Sequence, residues 1–260
     1  YLFLLTGGSF ILASCNDFLD REPLDSVTPD NFFFTENDLA AYAVKHYNFT
    51  THEGFNAGIW RNDNATDNQA ATDYDKKWIP GQWKVPEAYD NPASNDPWYF
   101  SAIREANYFL ETVVPRFEKG EIEGSETNIK HYIGEMYFLR AKNYLSKLET
   151  FGDFPIIKNT LPDESASLIQ ASKREPRHKV ARFILEDLDL AIGLLTNTIS
   201  GGKNRITQNA ALLLKSRAAL YEASWLTYHK GTALVPGGPG WPGKAEDIAD
   251  FNIDTEIAFF

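Results

Sequence analysis

The run IKHYIGEMYFLRAKNYLSKLETFGDFP, residues 129–155, decides the fold. Ile129, Ile133, Met136, Tyr144 and Leu148 recur at helical spacing, which predicts an amphipathic helix with those residues on its buried side. The helix begins near Ser125 and ends before Gly152, a residue that readily takes the left-handed conformation that closes a helix. Glu135 and Arg140 fall inside this otherwise apolar stretch. An isolated buried charge is costly, so each is expected to meet a partner or reach water and to play a structural part.

Working outward, the same period recurs. Pro176 opens a helix with Val180, Phe183, Ile184, Leu188, Ala191 and Leu195 on one face, and Gly201-Gly202 is its expected end. Thr207 caps the next, where Ala211, Leu214, Ala218, Tyr221, Trp225 and Tyr228 alternate steps of three and four and therefore should pack along another helix. Upstream, Thr35-Glu36-Asn37-Asp38 forms a capping box ahead of Leu39, Tyr42, Ala43 and Tyr47, predicting a helix over about 35–49. Asp96 as N-cap and Pro97 at the first helical position predict another, with Ile103, Ala106, Leu110 and Val113 on one face and a stop at Pro115. Strands find little support. The fold class is all-α, a tetratricopeptide-like helical-repeat body with long irregular loops, although the degenerate repeat signature is not visible.

The chain of 260 residues carries a formal net charge of -11, which excludes nucleic acid, whose binders need a basic face to displace condensed counterions. Its aromatic content of 14% exceeds what core filling asks for, and points to a binding surface. Residues 1–14 have the apolar run of a lipoprotein signal peptide, incomplete because the initiator Met and charged n-region are missing. Leu12-Ala13-Ser14-Cys15 has the form of a lipobox. The polar switch to Asn16-Asp17 favours acylation of Cys15 over a buried core thiol. With that lone cysteine acylated, the mature chain has no disulfide and no thiolate metal site. Residues 15–34 read as a lipid-anchored tether and 35–260 as the helical domain. Its C-terminal part is expected to be missing, since the chain reaches Phe260 without a cap or tail.

Between Gly54 and Asn95 the helical pattern gives way to Asn, Asp, Gly and Pro punctuated by aromatics, a long ordered loop region. Trp60, Tyr74, Trp78 and Trp83 lie there among Asp67, Asn68 and other amides and carboxylates. Flat aromatic faces cover the C–H side of a pyranose, while amides and carboxylates take its paired hydroxyls. These six are the candidate ligand-binding residues. Any one aromatic taken alone is more often a pin that holds a loop to the body, and Trp98, at a helix start, is assigned to the core. Asp63 to Asn68 lacks the glycine and distal glutamate of an EF-hand, so structural calcium is unsupported and no cofactor is expected. His131 and Glu135 share a helix face, yet no second pair joins them as metal ligands. Acidic residues are plentiful, but their separation belongs to the fold, so abundance is no evidence of catalysis.

Several stretches resemble the SusD/RagB family of nutrient-binding outer-membrane lipoproteins. Glu135-Met136-Tyr137-Phe138-Leu139-Arg140-Ala141 with Tyr144, followed by Phe151-Gly152-Asp153-Phe154-Pro155, looks like the family's E-x-x-F-L-R-A-x-x-Y helix and its F-G-D-x-P exit. Phe183 to Ile192 is similar to the helix that follows, as is Arg205-Ile206-Thr207 with Ala210, Ala211, Lys215, Arg217, Leu220 and Tyr221 to the next. The lipobox leader with Phe18-Leu19-Asp20-Arg21-Glu22-Pro23 also matches. The resemblance implies a surface-exposed protein, lipid-anchored at Cys15 to the outer membrane. It further implies a non-enzyme that captures oligosaccharide or polysaccharide and delivers it to a SusC-like TonB-dependent transporter, this chain being the N-terminal half. A peptide-binding member of the family is the alternative, and a surface glycoside hydrolase a more distant one.

Overall fold

The computed structural model describes residues 32–49, the backbone of 65–66 and 69–70, and residues 98–198 and 204–260. Among these lie seven α-helices: α1 (Glu36–Lys45), α2 (Ser101–Glu118), α3 (Glu126–Phe151), α4 (Ser165–Ala171), α5 (Arg177–Leu194), α6 (Gln208–His229) and α7 (Ile253–Phe259). A two-residue antiparallel ladder pairs β1 (Ala65–Thr66) with β2 (Gln69–Ala70), Ala65 opposite Ala70 and Thr66 opposite Gln69. The fold is all-α and helical-repeat in kind, with α3 packed on α1, α2 and α5, α5 on α6, and α6 on α7. Helices α2, α3, α5 and α6 pack in succession, each covering an apolar face of the one before.

The 26 residues of α3 span about 39 Å and form the axis of this stack. Ile129, Ile133, Met136, Tyr144 and Leu148 are buried as expected, but so are His131, Tyr132, Glu135, Phe138, Leu139, Arg140, Ala141 and Leu145. Neighbours on several sides bury α3 nearly all round, which a one-sided pattern does not anticipate. Gly134 shows how close they come: a Cβ there would lie 3.0 Å from Leu195 Cγ and 3.1 Å from Leu194 Cβ. Gly152, at φ 71°, ends the helix and returns its N–H to Leu148 O at 3.0 Å.

The capping box of α1 is complete, Thr35 Oγ1 accepting from Asp38 N and the Asp38 carboxylate from Thr35 N, though the helix stops at Lys45. Phe33 just ahead has φ 71°, strained for a β-carbon residue, and is held by complete burial against Tyr42 and Phe109, ring centroids 5.1 and 5.3 Å away.

Three sequence expectations are corrected. Asp96 and Pro97 lie outside the described residues, and α2 starts only at Ser101 and runs through Pro115 to Glu118. Proline already has a helical φ, only one turn follows it, and that turn is held by Lys119 N donating to Pro115 O at 3.2 Å. Helix α5 ends at Leu194, ahead of Gly201-Gly202, because Leu195 turns extended and buries its side chain beside Gly134. On α6 the fully buried positions are Ala211, Ala218, Glu222 and Leu226; Leu214, Tyr221 and Trp225 are half-buried and Tyr228 is 84% exposed. The seam is rotated because Arg177 draws Glu222 inward. Helices α4 and α7, seven residues each, are too short to declare a period in sequence.

Both charges singled out in α3 find partners. Arg140 donates from Nε and Nη2 to the two oxygens of Asp187 at 2.7 Å each, and from Nη1 to Asn107 Oδ1 at 2.8 Å and Lys158 O at 3.2 Å. Asn107 in turn donates to Ile157 O and Asn159 O at 2.8 and 3.2 Å. One guanidinium thus ties α2, α3, α5 and the 157–159 segment. Burial pushes the Asp187 carboxyl up, and Arg140 opposes that shift. Glu135 is taken by Arg205, whose Nε lies 2.8 Å from Oε1; His131 Nε2 sits 3.2 Å from the same oxygen without forming a hydrogen bond, while His131 Nδ1 accepts from Thr196 N. A third pair, Arg177 with Glu222 at 2.8–3.2 Å, locks α5 to α6.

Arg140→Ala, which strands Asp187 in the core, is expected to cost about 3–5 kcal/mol in urea unfolding, whereas Arg140→Met with Asp187→Leu should recover most of that loss. A second expectation concerns His178, packed 4.6 Å from Phe251 with Nδ1 unpaired among the described residues. Burial depresses its pKa to about 4, with Glu256 opposing and Lys179 and Arg182 adding to the shift. Below the unfolded value the folded chain binds fewer protons than the unfolded one. Stability is therefore full above about pH 6.5 and falls, by roughly 3 kcal/mol at most, towards pH 4. His178→Gln should flatten unfolding free energy across that window.

Candidate functional site

Where α3 ends, the chain makes the turn Gly152-Asp153 and returns through Phe154-Pro155, and α5 begins alongside at Arg177. The opening between that turn, Trp225 of α6 and the 233–242 loop is a concavity of about 350 Å³. Its size suits a small ligand, since binding pockets begin near 300 Å³.

Two tryptophans line it in different ways. Trp225 is a fixed wall: its Nε1 donates to Leu234 O at 3.0 Å, the Arg177 guanidinium lies 4.2 Å over its ring, and His229 is 4.3 Å away. Trp241 comes from the loop and is anchored at its edge, Nε1 donating to Asp153 Oδ2 at 2.9 Å. The backbone of Gly243 lies against the indole so closely that a Cβ there would be 2.1 Å from the ring. Among the described residues no aromatic ring or cation stacks on Trp241.

Asp153 is the hinge of the arrangement. Its Oδ1 accepts from the backbone N of Arg177 at 2.8 Å, capping an α5 N-terminus whose own N-cap, Pro176, has no side chain to offer. Its Oδ2 takes Trp241. Burial raises its pKa, with the two donors and nearby Arg177 and Arg174 opposing. A carboxylate accepts up to about four hydrogen bonds, and the two donors leave Asp153, half-buried in the pocket lining, with acceptor capacity to spare. Glu149 and Arg174, both exposed, line the same pocket.

A second concavity of about 270 Å³ lies beside it, lined by Trp98, Phe100, Ile103, Leu161 and Leu168 and almost wholly apolar. Trp98 packs edge-on against Phe151 and Phe154 at 4.8 and 5.0 Å but is only half-buried and lines this concavity, so it stands at the edge of the core rather than within it. Arg174 lies 4.7 Å over its ring, so this cation and ring line one concavity each.

The six sequence candidates, Trp60, Asp67, Asn68, Tyr74, Trp78 and Trp83, and the lipidation candidate Cys15 lie outside the described residues. Sequence reasoning missed Asp153 and Trp241 as partners. An indole in a Gly/Pro-rich loop was the available signal, but nothing local to it names an acceptor 88 residues upstream. No group of three or more His, Cys, Asp or Glu gathers to hold a metal among the described residues. No helix there is long and apolar enough to cross a membrane.

Asp153→Ala removes a helix cap and the Trp241 anchor together. It should lower unfolding free energy by about 1–2 kcal/mol and move the Trp241 indole ¹H–¹⁵N resonance towards its random-coil position. Asp153→Asn should retain part of both.

Residues 17–220 match a SusD-like family described as starch-binding and associating with the outer membrane. SusD-like protein P2 of Formosa agariphila is 27% identical over 255 residues, 95% of this chain and 45% of its own length. The crystal structure of a SusD-like protein from Bacteroides fragilis superposes with TM-score 0.58 at 25% identity, over 79% of this chain and 38% of that one. A SusD-like carbohydrate binding protein, also from Bacteroides fragilis, shares the fold with TM-score 0.51 at 17% identity, over 76% of this chain and 40% of its own. The chain thus spans less than half the length of each of these relatives.

Proposed function

Because the chain belongs to the SusD-like family, described as starch-binding and outer-membrane-associating, we propose that it captures oligosaccharides at the cell surface without cleaving them and delivers them to a SusC-like TonB-dependent transporter. The observation that carries this reading is the family match, which runs from just after Cys15 through the first thirteen residues of α6.

In this reading diacylglyceryl-Cys15 anchors the protein, residues 16–34 hold it off the membrane, and the helical body is a rigid frame. Trp60, Tyr74, Trp78 and Trp83 supply stacking faces, with Asp67 and Asn68 taking hydroxyls. Indoles hold a sugar by desolvating its C–H face, an interaction that is non-directional along the chain and so suits polymers of one repeating sugar. Capture asks for no proton transfer. The buried acids Asp187, Glu222 and Glu135 are each committed to an arginine, which supports a structural use for them.

Affinity electrophoresis of the soluble chain begun after Cys15, run through gels of starch and other neutral polysaccharides, should show retardation. Trp78→Ala with Trp83→Ala should weaken it by roughly tenfold or more. No reducing ends should be released in parallel incubations. Release would overturn capture without cleavage, and retardation by no glycan would favour a peptide ligand.

A further inference from the structure

We propose that the pocket between Trp225, Trp241 and Asp153 is a second carbohydrate subsite, built on the helical frame and selective for a neutral sugar residue. The proposal rests on the glycan-capture reading for its ligand class, but on separate residues for its location.

The pocket has the parts a pyranose needs. Trp241 offers an indole that nothing described stacks upon, fixed in plane by its bond to Asp153 and by the Gly243 backbone beneath. A fixed ring loses little conformational entropy on binding, which is why a pre-set aromatic is worth more than a mobile one. Asp153 lines the same pocket and accepts one hydrogen bond on each oxygen, which leaves it capacity for a hydroxyl donor next to that ring. Trp225 closes the far wall, and its own N–H and ring face are already used, so it shapes the pocket without competing for the ligand.

Charge selects the sugar. Arg177 and Glu222 neutralise each other 2.8 Å apart and are buried, leaving Arg174 alone against Asp153 and Glu149. A uronate or sulfated sugar would meet two carboxylates and one exposed, screened guanidinium, in a protein of net charge -11. A neutral hexose meets no such opposition, and its hydroxyls donate to the carboxylates.

The position also distinguishes this subsite from the loop candidates. Trp241 lies 158 positions after Trp83, in the connection between α6 and α7, so the two can be removed independently. One glycan chain contacting both gains through effective concentration rather than through either contact alone.

The test is ¹⁹F NMR of the chain begun after Cys15 and labelled with 5-fluorotryptophan, which gives one resonance for each of its six tryptophans. Resonances are assigned by single Trp→Phe variants, and the probes are maltose, cellobiose, laminaribiose and digalacturonate. The expected result is a saturable shift of the Trp241 signal with at least one neutral disaccharide and none with digalacturonate. That shift should persist when Trp78 and Trp83 are both changed to alanine, and affinity in that background should fall roughly tenfold with Trp241→Ala. Asp153→Asn keeps an acceptor and should fold, so a weaker ligand-induced shift in that variant, with its ligand-free Trp241 signal unmoved, reports lost ligand contact rather than unfolding or a displaced ring. Glycan binding that leaves the Trp241 signal unmoved and is indifferent to Trp241→Ala would overturn the subsite while leaving glycan capture intact. A preference for digalacturonate would overturn the neutral-sugar selection. Binding of no sugar by the unsubstituted chain would overturn the subsite along with the reading it rests on.

Discussion

A buried arginine cannot be left unpaired, and the arrangement of α2, α3 and α5 follows from satisfying Arg140. Its guanidinium offers five donors in a fixed plane, and Asp187, Asn107 and a main-chain carbonyl are the acceptors that meet it. Each acceptor belongs to a different segment. Sliding α5 by one turn would move Asp187 about 5.4 Å away, so the pair specifies register where apolar contacts alone would tolerate several. The Arg177–Glu222 pair repeats the device between α5 and α6, and Arg205 with Glu135 repeats it between α3 and the approach to α6.

The same pairs explain what was readable in the sequence. The period of Ile129, Ile133, Met136, Tyr144 and Leu148 announced α3, and its interruption by Glu135 and Arg140 announced that partners were required. Which partners was not readable, because Asp187 is 47 residues away and several acids on α5 are equivalent in sequence. The seam of α6 was misread for a related reason: Trp225 and Tyr228 look like core residues by hydrophobicity, whereas the acidic Glu222 is fully buried in their place. A carboxylate overrides the apolar pattern when a buried guanidinium waits for it.

Local boundaries failed where backbone and packing compete. Pro115 reads as a stop, yet a proline one turn from a helix end sacrifices little. Gly201-Gly202 reads as a terminator, yet Leu195 leaves the helix earlier to fill the space over Gly134. Of the binding residues proposed here, those of the aromatic loop were read from composition alone and lie outside the described residues. The pocket at the end of α3 was invisible, since its three working residues come from an exit turn, a helix and a Gly/Pro-rich loop that only the fold brings together.

Trp241 reaches the frame through a single side-chain hydrogen bond to a carboxylate whose other oxygen serves α5. The tip of the loop around Trp241 is therefore more exchangeable than its start, where Leu234 O accepts from Trp225 and Val235 is buried. Its residues can be replaced over evolutionary time, altering the shape of the pocket, without disturbing any of the charge pairs that set helix register. On the subsite proposed above, recognition could be remodelled there while the scaffold keeps its stability margin, provided a donor still reaches Asp153 and a residue without a side chain still lies under the ring.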